Sequence, residues 1–441
     1  MKNILYILRI VPVVFSFSSF CQNVPLDHYE GYYLKTGTYP EDVNNWWMSN
    51  GYEVQGVTHD DDNWYFTLTD KDRDNGVLWR IPRSVPLASP SQPTDTGIKV
   101  VTMNDVDTLS EIFKWHWGDP DCFRYNGVDY ILIPIPGPMV ACFKADNLEY
   151  VNYANLDSNV QDYAGWCAVG KDGCLYTSSN HAWGIVKYKI NWDSLIGSPG
   201  NHDACTYIDS FPFQDSNGSP MQLFHMQGGE FTPSGELLYL VCGSAGCDAL
   251  GPIWDTFGPG EPMPSDGIHV FETINWKELT RSVNSSDSST NFSYVFDNDC
   301  TCYVPIPLPP LFIPVPVPFG SQTPEGLTIW DLEDGSAPYI SGQLHVIKDH
   351  YNTAFCDDAI TMQHYSEKIY IDKNNLDYDS LSIALKGTKE KPFRTVAEAY
   401  NYYPIWDGAQ MIIISGSYPE PVFFNRRVRI TSQNGIVTLG H

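Results

Sequence analysis

Gln227-Gly228-Gly229-Glu230-Phe231, followed by Leu237-Leu238-Tyr239-Leu240, decides the fold, because its pattern returns along the chain. A small residue opens a short strand, a polar turn follows, and an aromatic-rich strand comes next. The pattern reads Gln55-Gly56-Val57-Thr58 before Trp64-Tyr65-Phe66, and Gly118-Asp119-Pro120-Asp121 before Val128-Asp129-Tyr130-Ile131-Leu132. It reads Gly165-Trp166-Cys167-Ala168 before Gly173-Cys174-Leu175-Tyr176, and last Glu325-Gly326-Leu327-Thr328. Internal repetition fixes architecture before any single residue does.

Units close with an amphipathic strand, as in Leu78-Trp79-Arg80-Ile81, Val140-Ala141-Cys142-Phe143, Ile185-Val186-Lys187-Tyr188 and Ile268-His269-Val270-Phe271. Several short strands per unit with turns between them are the grammar of a β-propeller blade. The expected fold class is therefore all-β, a five-bladed propeller, with six blades left open if residues 285 to 322 hide another. The fifth unit is short of an outer strand. Residues near Tyr32 to Thr38 are placed to supply it and close the ring.

The mature charge excludes some partners. The chain carries 53 acidic and 26 basic side chains, and losing Lys2 and Arg9 with an N-terminal leader leaves 24 − 53 = −29. Such a surface repels phosphate backbones and anionic lipids, so nucleic acid is not an expected partner. Lys2 followed by an apolar run from Ile4 to Phe17 reads as a signal peptide over residues 1–21, too short to span a bilayer, and the expected location is secreted, periplasmic or cell-surface. No membrane insertion is expected. Ten cysteines remain after Cys21, an even number that favours disulfides in an exported chain, with Cys167 and Cys174 the expected pair.

The propeller is expected over residues 22–366, with an alternating-proline run from Pro305 to Pro318 read as an extended arm that packs on the disc or meets a protein partner. From residue 367 the composition changes. Gly387-Thr388 followed by Pro392-Phe393-Arg394-Thr395-Val396-Ala397, then Met411-Ile412-Ile413-Ile414 and Val428-Arg429-Ile430, resembles the opening of right-handed parallel β-helix proteins of the pectin-lyase-like class. The resemblance covers about 70 residues (367–441) and implies a short β-helix-like module after a secreted bacterial propeller. Catalytic groups of that class lie on later coils, so no lyase site is carried over.

Function is sought where the innermost strands line the channel. Superposing the repeats on their glycines puts Gln55, Trp117, Ala164, Gln227 and Glu325 in one ring, with Asp119, Asp121, Trp166, Glu230 and Thr328 further along and His59, His116 and His225 flanking. Amides and carboxylates hydrogen-bond sugar hydroxyls, and indoles stack on pyranose faces. The expected role is binding of an extracellular polysaccharide or glycoconjugate at the channel mouth through Gln55, His59, His116, Trp117, Trp166, His225 and Gln227. The blander reading is that the ring amides satisfy backbone groups in a narrow channel. Two alternatives stay open. One is a glycoside hydrolase using Asp119 or Asp121 as base and Glu230 or Glu325 as acid; the other is a non-catalytic protein-interaction scaffold. Asp70, Asp72 and Asp74 alternate as Ca²⁺ ligands do, although Ile81 stands where a closing glutamate belongs, so Ca²⁺ is the one cofactor considered.

Overall fold

The computed structural model describes residues 34–38, 52–70, 75–85, 87, 97–103, 106, 116–215, 217–242, 267–283, 302–308, 311–317, 322–332, 336–337, 342–350, 359–366, 368–375, 387, 392–402, 410–424 and 428–440. The signal-peptide reading lies outside them, as do Asp72 and Asp74.

Strand β1 is Leu34–Thr38. Blade A follows with β2 (Tyr52–His59), β3 (Asn63–Asp70), β4 (Asn75–Pro82) and β5 (Lys99–Thr102). Blade B is β6 (Asp121–Tyr125), β7 (Val128–Ile135), β8 (Met139–Lys144) and β9 (Tyr150–Asn155). Blade C is β10 (Trp166–Val169), β11 (Cys174–Ser178), β12 (Gly184–Ile190) and β13 (Cys205–Pro212), with the short helix α1 (Trp192–Gly197) between the last two. Blade D is β14 (Met226–Phe231), β15 (Leu237–Cys242), β16 (Gly267–Glu272) and β17 (Lys277–Val283). In each blade the strands pair antiparallel in sequence order. Period-two patterning, with aromatic and β-branched residues pointing to both neighbours, is what a sheet buried on both faces requires.

The sheet that closes the ring is composite. It takes β20 (Gln322–Ile329), β21 (Leu344–His350) and β22 (Ala359–Ser366) from late in the chain, and β1 pairs antiparallel with β22 as its outer strand. The inner strands β2, β6, β10, β14 and β20 touch in that cyclic order, and β20 returns to β2. Five apolar clusters fill the spaces between neighbours: Trp64 and Phe66 with Ile347, Trp117 with Phe143, Leu132 with Leu175, Trp166 with Leu240, and Val270 with Leu327.

Three expectations change here. Five or six like blades become four that are each one continuous run, closed by the composite sheet. Residues 285 to 322 contribute no blade among the described residues; they hold a separate two-stranded hairpin, β18 (Cys302–Leu308) with β19 (Leu311–Val317). The proline run is thus a hairpin instead of a lone polyproline-like arm. Its prolines occur at every second position and Pro305 faces Pro314, so they can occupy the sites whose N–H points away from the partner, while Val304 with Val315 and Ile306 with Ile313 carry the ladder. Finally, Cys167 lies opposite Thr177 and Cys174 opposite Lys189, so these two cysteines are not cross-strand neighbours. Cys122, Cys142, Cys167, Cys174, Cys205 and Cys242 are all free thiols.

Beyond the ring, β23 (Lys368–Ile371), β24 (Gln410–Tyr418) and β25 (Arg429–Leu439) form a parallel sheet with the helix α2 (Val396–Tyr402) nearby. Ile369, Phe393, Met411 and Ile413 share one apolar cluster with Tyr239, Val270 and Leu344, which ties this segment to blade D and the closing sheet. No helix among the described residues is long and apolar enough to cross a membrane.

Candidate functional site

The inner strands of blade A, blade D and the closing sheet each carry a bulge at the same place, between Val54 and Gly56, Met226 and Gly228, and Pro324 and Gly326. The extra residues are Gln55, Gln227 and Glu325. A bulge re-aims a side chain and bends the strand, and the glycine after each one approaches the axis closely. A Cβ added to Gly56, Gly228 or Gly326 would stand 2.5, 2.6 or 2.2 Å from an oxygen of Asp119.

Asp119 is therefore the hub of the disc. Val57 N–H donates to its Oδ1 at 2.9 Å and Gly229 N–H to its Oδ2 at 3.1 Å, with a third bond from Leu327 N–H. These are the amides that follow the three glycines. Its own N–H donates to Gly165 O at 3.1 Å, and its carbonyl accepts from Cys167 N–H at 3.2 Å. One fully buried residue thus binds all four other inner strands. Burial and the Glu230 charge push its carboxyl up, while three donated N–H groups, at least one on each oxygen, pull it down and leave no oxygen free to carry a proton, so it acts as the carboxylate. Asp119 was expected as a base; its oxygens are instead committed to the scaffold.

The other expected residues divide between the two ends of the channel. Past the hub, further along the inner strands, Asp121 accepts from Val169 N–H at 2.5 Å and burial raises it to about 7. Glu230 accepts from Ile329 N–H at 3.2 Å and is held well above its ordinary value by desolvation, then by the Asp121 charge. His59 lies at the same end, stacked on Trp330 with centroids 4.4 Å apart, its ring nitrogens 2.9 and 3.0 Å from the carbonyls of Asp60 and Ile329. Burial lowers its pKa, while the two carbonyls at its ring nitrogens pull it back up, and both nitrogens are taken up by backbone contacts. Trp117 and Trp166 are corrections to the expected ligand ring. The first is buried against Gly76 and Phe143 between blades A and B; the second packs on Gly229, and its Nε1–H donates to Ser178 Oγ at 2.8 Å. In both cases the indole is buried in the core between two blades. Gln55 is buried beside the hub with Nε2 unpartnered.

At the end where the inner strands begin lies a cavity of about 660 Å³ lined by His116, Pro136, Asp162, Tyr163, Ser179, Asn180, His181, His225, Gln227 and Glu325. Sequence reasoning places His116, His225, Gln227 and Glu325 here, and the structure brings those four together. Residues 179–181, between β11 and β12, complete the wall: His225 N–H donates to His181 Nδ1 at 3.3 Å, Met226 N–H to Asn180 O at 2.9 Å, and Ser179 Oγ–H to Asp162 at 3.2 Å. The rings of His181 and His225 meet edge-on at 4.6 Å. His116 and His225 both have left-handed backbones, φ 68° and 49°, a conformation costing of order 1–3 kcal/mol that the surroundings must hold in place. Tyr163 is pushed up to about 12 by burial and then by the Glu325 charge, so at neutral pH its hydroxyl is a donor.

Asp70 ends β3 opposite Asn75, and no group of three or more His, Cys, Asp or Glu among the described residues is placed to hold a metal. Asp60, in the Asp60-Asp61-Asp62 run, is a turn residue, accepting from the N–H groups of Asp62 and Asn63 at 2.7 Å.

No known family pattern and no curated protein matches the chain. Among solved structures, the glutaminyl cyclase of Myxococcus xanthus aligns with 76% of this chain and 94% of its own at 8% identity and a TM-score of 0.36. A GH43 β-xylosidase/α-arabinofuranosidase from a compost microbial metagenome, solved with xylotriose, aligns with 75% and 94% at 9% identity and a TM-score of 0.36. Likeness at that level assigns neither family nor activity.

Proposed function

We propose that this chain is an exported propeller that binds an extracellular polysaccharide or glycoconjugate in the cavity at the channel mouth. The observation that carries the reading is the cavity's make-up: imidazoles of His116, His181 and His225, amides of Asn180 and Gln227, the Tyr163 hydroxyl and the Glu325 carboxylate face one space of ligand size. Planar polar groups that both donate and accept suit the alternating hydroxyls of a sugar. The Asp119 hub lies behind them and ties the inner strands together.

A glycan array and hydrolysis screen of the protein from Gln22 onward, with and without Ca²⁺, tests it. Binding that is lost in Glu325→Gln without loss of folding supports the reading; undiminished binding in that variant sinks the mouth as the site.

The Asp121–Glu230 pair favours glycoside hydrolysis as a second reading, since two coupled carboxyls with raised pKa values are the means by which such enzymes keep one acid protonated. Release of reducing ends that disappears in Asp121→Asn and Glu230→Gln would establish it. Turnover retained in both variants would remove it.

A further inference from the structure

A second recess opens beside the mouth cavity and shares Ser179 and His181 with it. This groove of about 370 Å³ runs over blade C between Val160, Gln161, Trp183, Gly184, Ser210 and Pro212. Two features set it apart from an ordinary surface crease. Gln161 is 5% exposed, yet both its Nε2 and its Oε1 are without a hydrogen-bond partner. Leaving a buried amide unsatisfied costs about 1–3 kcal/mol per group, so such a side chain marks a place where something else completes the bonds. Trp183 is 59% exposed at the other wall and presents aromatic surface to solvent.

We infer that this groove is a second sugar subsite, and that the ligand is a neutral oligosaccharide running from the mouth cavity across Ser179 and His181 onto Gln161 and Trp183. The inference rests on the glycan reading of the mouth. The Gln161 amide offers one donor and one acceptor side by side, which matches two adjacent hydroxyls of one pyranose. The Trp183 indole offers the apolar platform on which the opposite face of such a ring stacks. Among the described residues the groove lining holds no carboxylate, lysine or arginine, which selects an uncharged sugar over a uronate or a sulfated unit. The base of a nucleotide would also pair with an amide and stack on an indole, but the nucleotide's phosphates would meet a chain of formal charge −27.

Calorimetric titration of the full chain with neutral gluco-, xylo-, manno- and galacto-oligosaccharides of one to five units, with adenosine as a control, tests this. For the series that binds, affinity rises about tenfold when the chain becomes long enough to reach blade C, the step expected of one stacked ring. Trp183→Ala and Gln161→Leu each remove that rise and leave the shortest ligand's affinity unchanged, while Trp183→Phe restores part of it. Trp183 is solvent-facing, so its loss does not threaten folding, and far-UV circular dichroism checks both variants. If short sugars bind in a Glu325-dependent way but longer ones gain nothing, or the gain survives both substitutions, the groove is overturned and the mouth stands. If Trp183→Ala abolishes binding and Glu325→Gln does not, the groove stands and the mouth reading fails. If no sugar binds, or adenosine binds in the groove instead, the oligosaccharide assignment is overturned.

Discussion

Replacing Asp119 by asparagine is expected to loosen the whole disc, because the two side chains are nearly the same shape and differ in what the second head atom can accept. Both oxygens of Asp119 receive a backbone N–H, from Val57 at 2.9 Å and Gly229 at 3.1 Å, and Leu327 N–H adds a third. Asparagine keeps one acceptor. Wherever its NH₂ points, it turns a donor toward a donated N–H. A buried backbone N–H left without a partner costs about 1–3 kcal/mol, and the new buried NH₂ without an acceptor costs a similar amount, so the sum is about 2–6 kcal/mol. Against a typical total of about 5–15 kcal/mol, that is a large fraction of the stability. In urea, with a slope of about 3 kcal/mol/M, the midpoint falls by about 0.7–2 M. Asp119→Ala, which strips the acceptor from all three amides, falls further. An unchanged midpoint at unchanged slope in Asp119→Asn would refute the hub.

Three other outcomes follow from the same packing. Asp121 ionises near 3.8 when unfolded and near 7 when folded, so the folded state holds the extra proton; stability contributed by this group is full below about 4, declines as pH rises toward 7, and is flattened in Asp121→Asn when melting is followed from pH 4 to 8. His269 runs the other way: burial alone would lower it, but the Cys242 sulfur and the Glu278 carboxylate, 2.7 Å from Nδ1, raise it to about 10. Its contribution is complete below 6.5 and lost as pH climbs through 10, and Glu278→Gln, which removes the carboxylate from a buried imidazole, costs about 3–5 kcal/mol in denaturant titration at pH 7. Starting the chain at residue 39 removes β1 and leaves β22 an open edge, so thermal unfolding shifts down and size-exclusion chromatography shows association, whereas an unaltered melt would mean that β1 does not close the ring.

The glycine-led repeats made the ring readable in advance, because a glycine before each inner strand's core is a demand of geometry: Gly56, Gly228 and Gly326 each leave room for the same carboxylate. What the repeats could not show is whose carboxylate it is. Asp119 follows its glycine as Val57, Gly229 and Leu327 follow theirs, and only the closed ring aims those amides at it. The bulges at Gln55, Gln227 and Glu325 were equally hidden, since register is set by pairing partners and not by the strand itself. Trp117 and Trp166 look like channel residues by position, yet both indoles are buried in the inter-blade cores. The mouth was half legible. His116, His225, Gln227 and Glu325 could be aligned by repeat, but Ser179, Asn180 and His181 belong to the turn after β11. Gln161 and Trp183 likewise lie outside the repeated pattern, so alignment of the repeats does not reach them.

The central claim is that a neutral sugar chain occupies the end of the channel where the inner strands begin. A crystal structure of the protein soaked with the tightest-binding oligosaccharide tests it directly. The account predicts one sugar unit among His116, His225, Gln227 and Glu325, with the next units leading past His181 toward Trp183. Sugar found at the opposite end, beside Asp121 and Glu230, or on the outer edge of a blade, would contradict it.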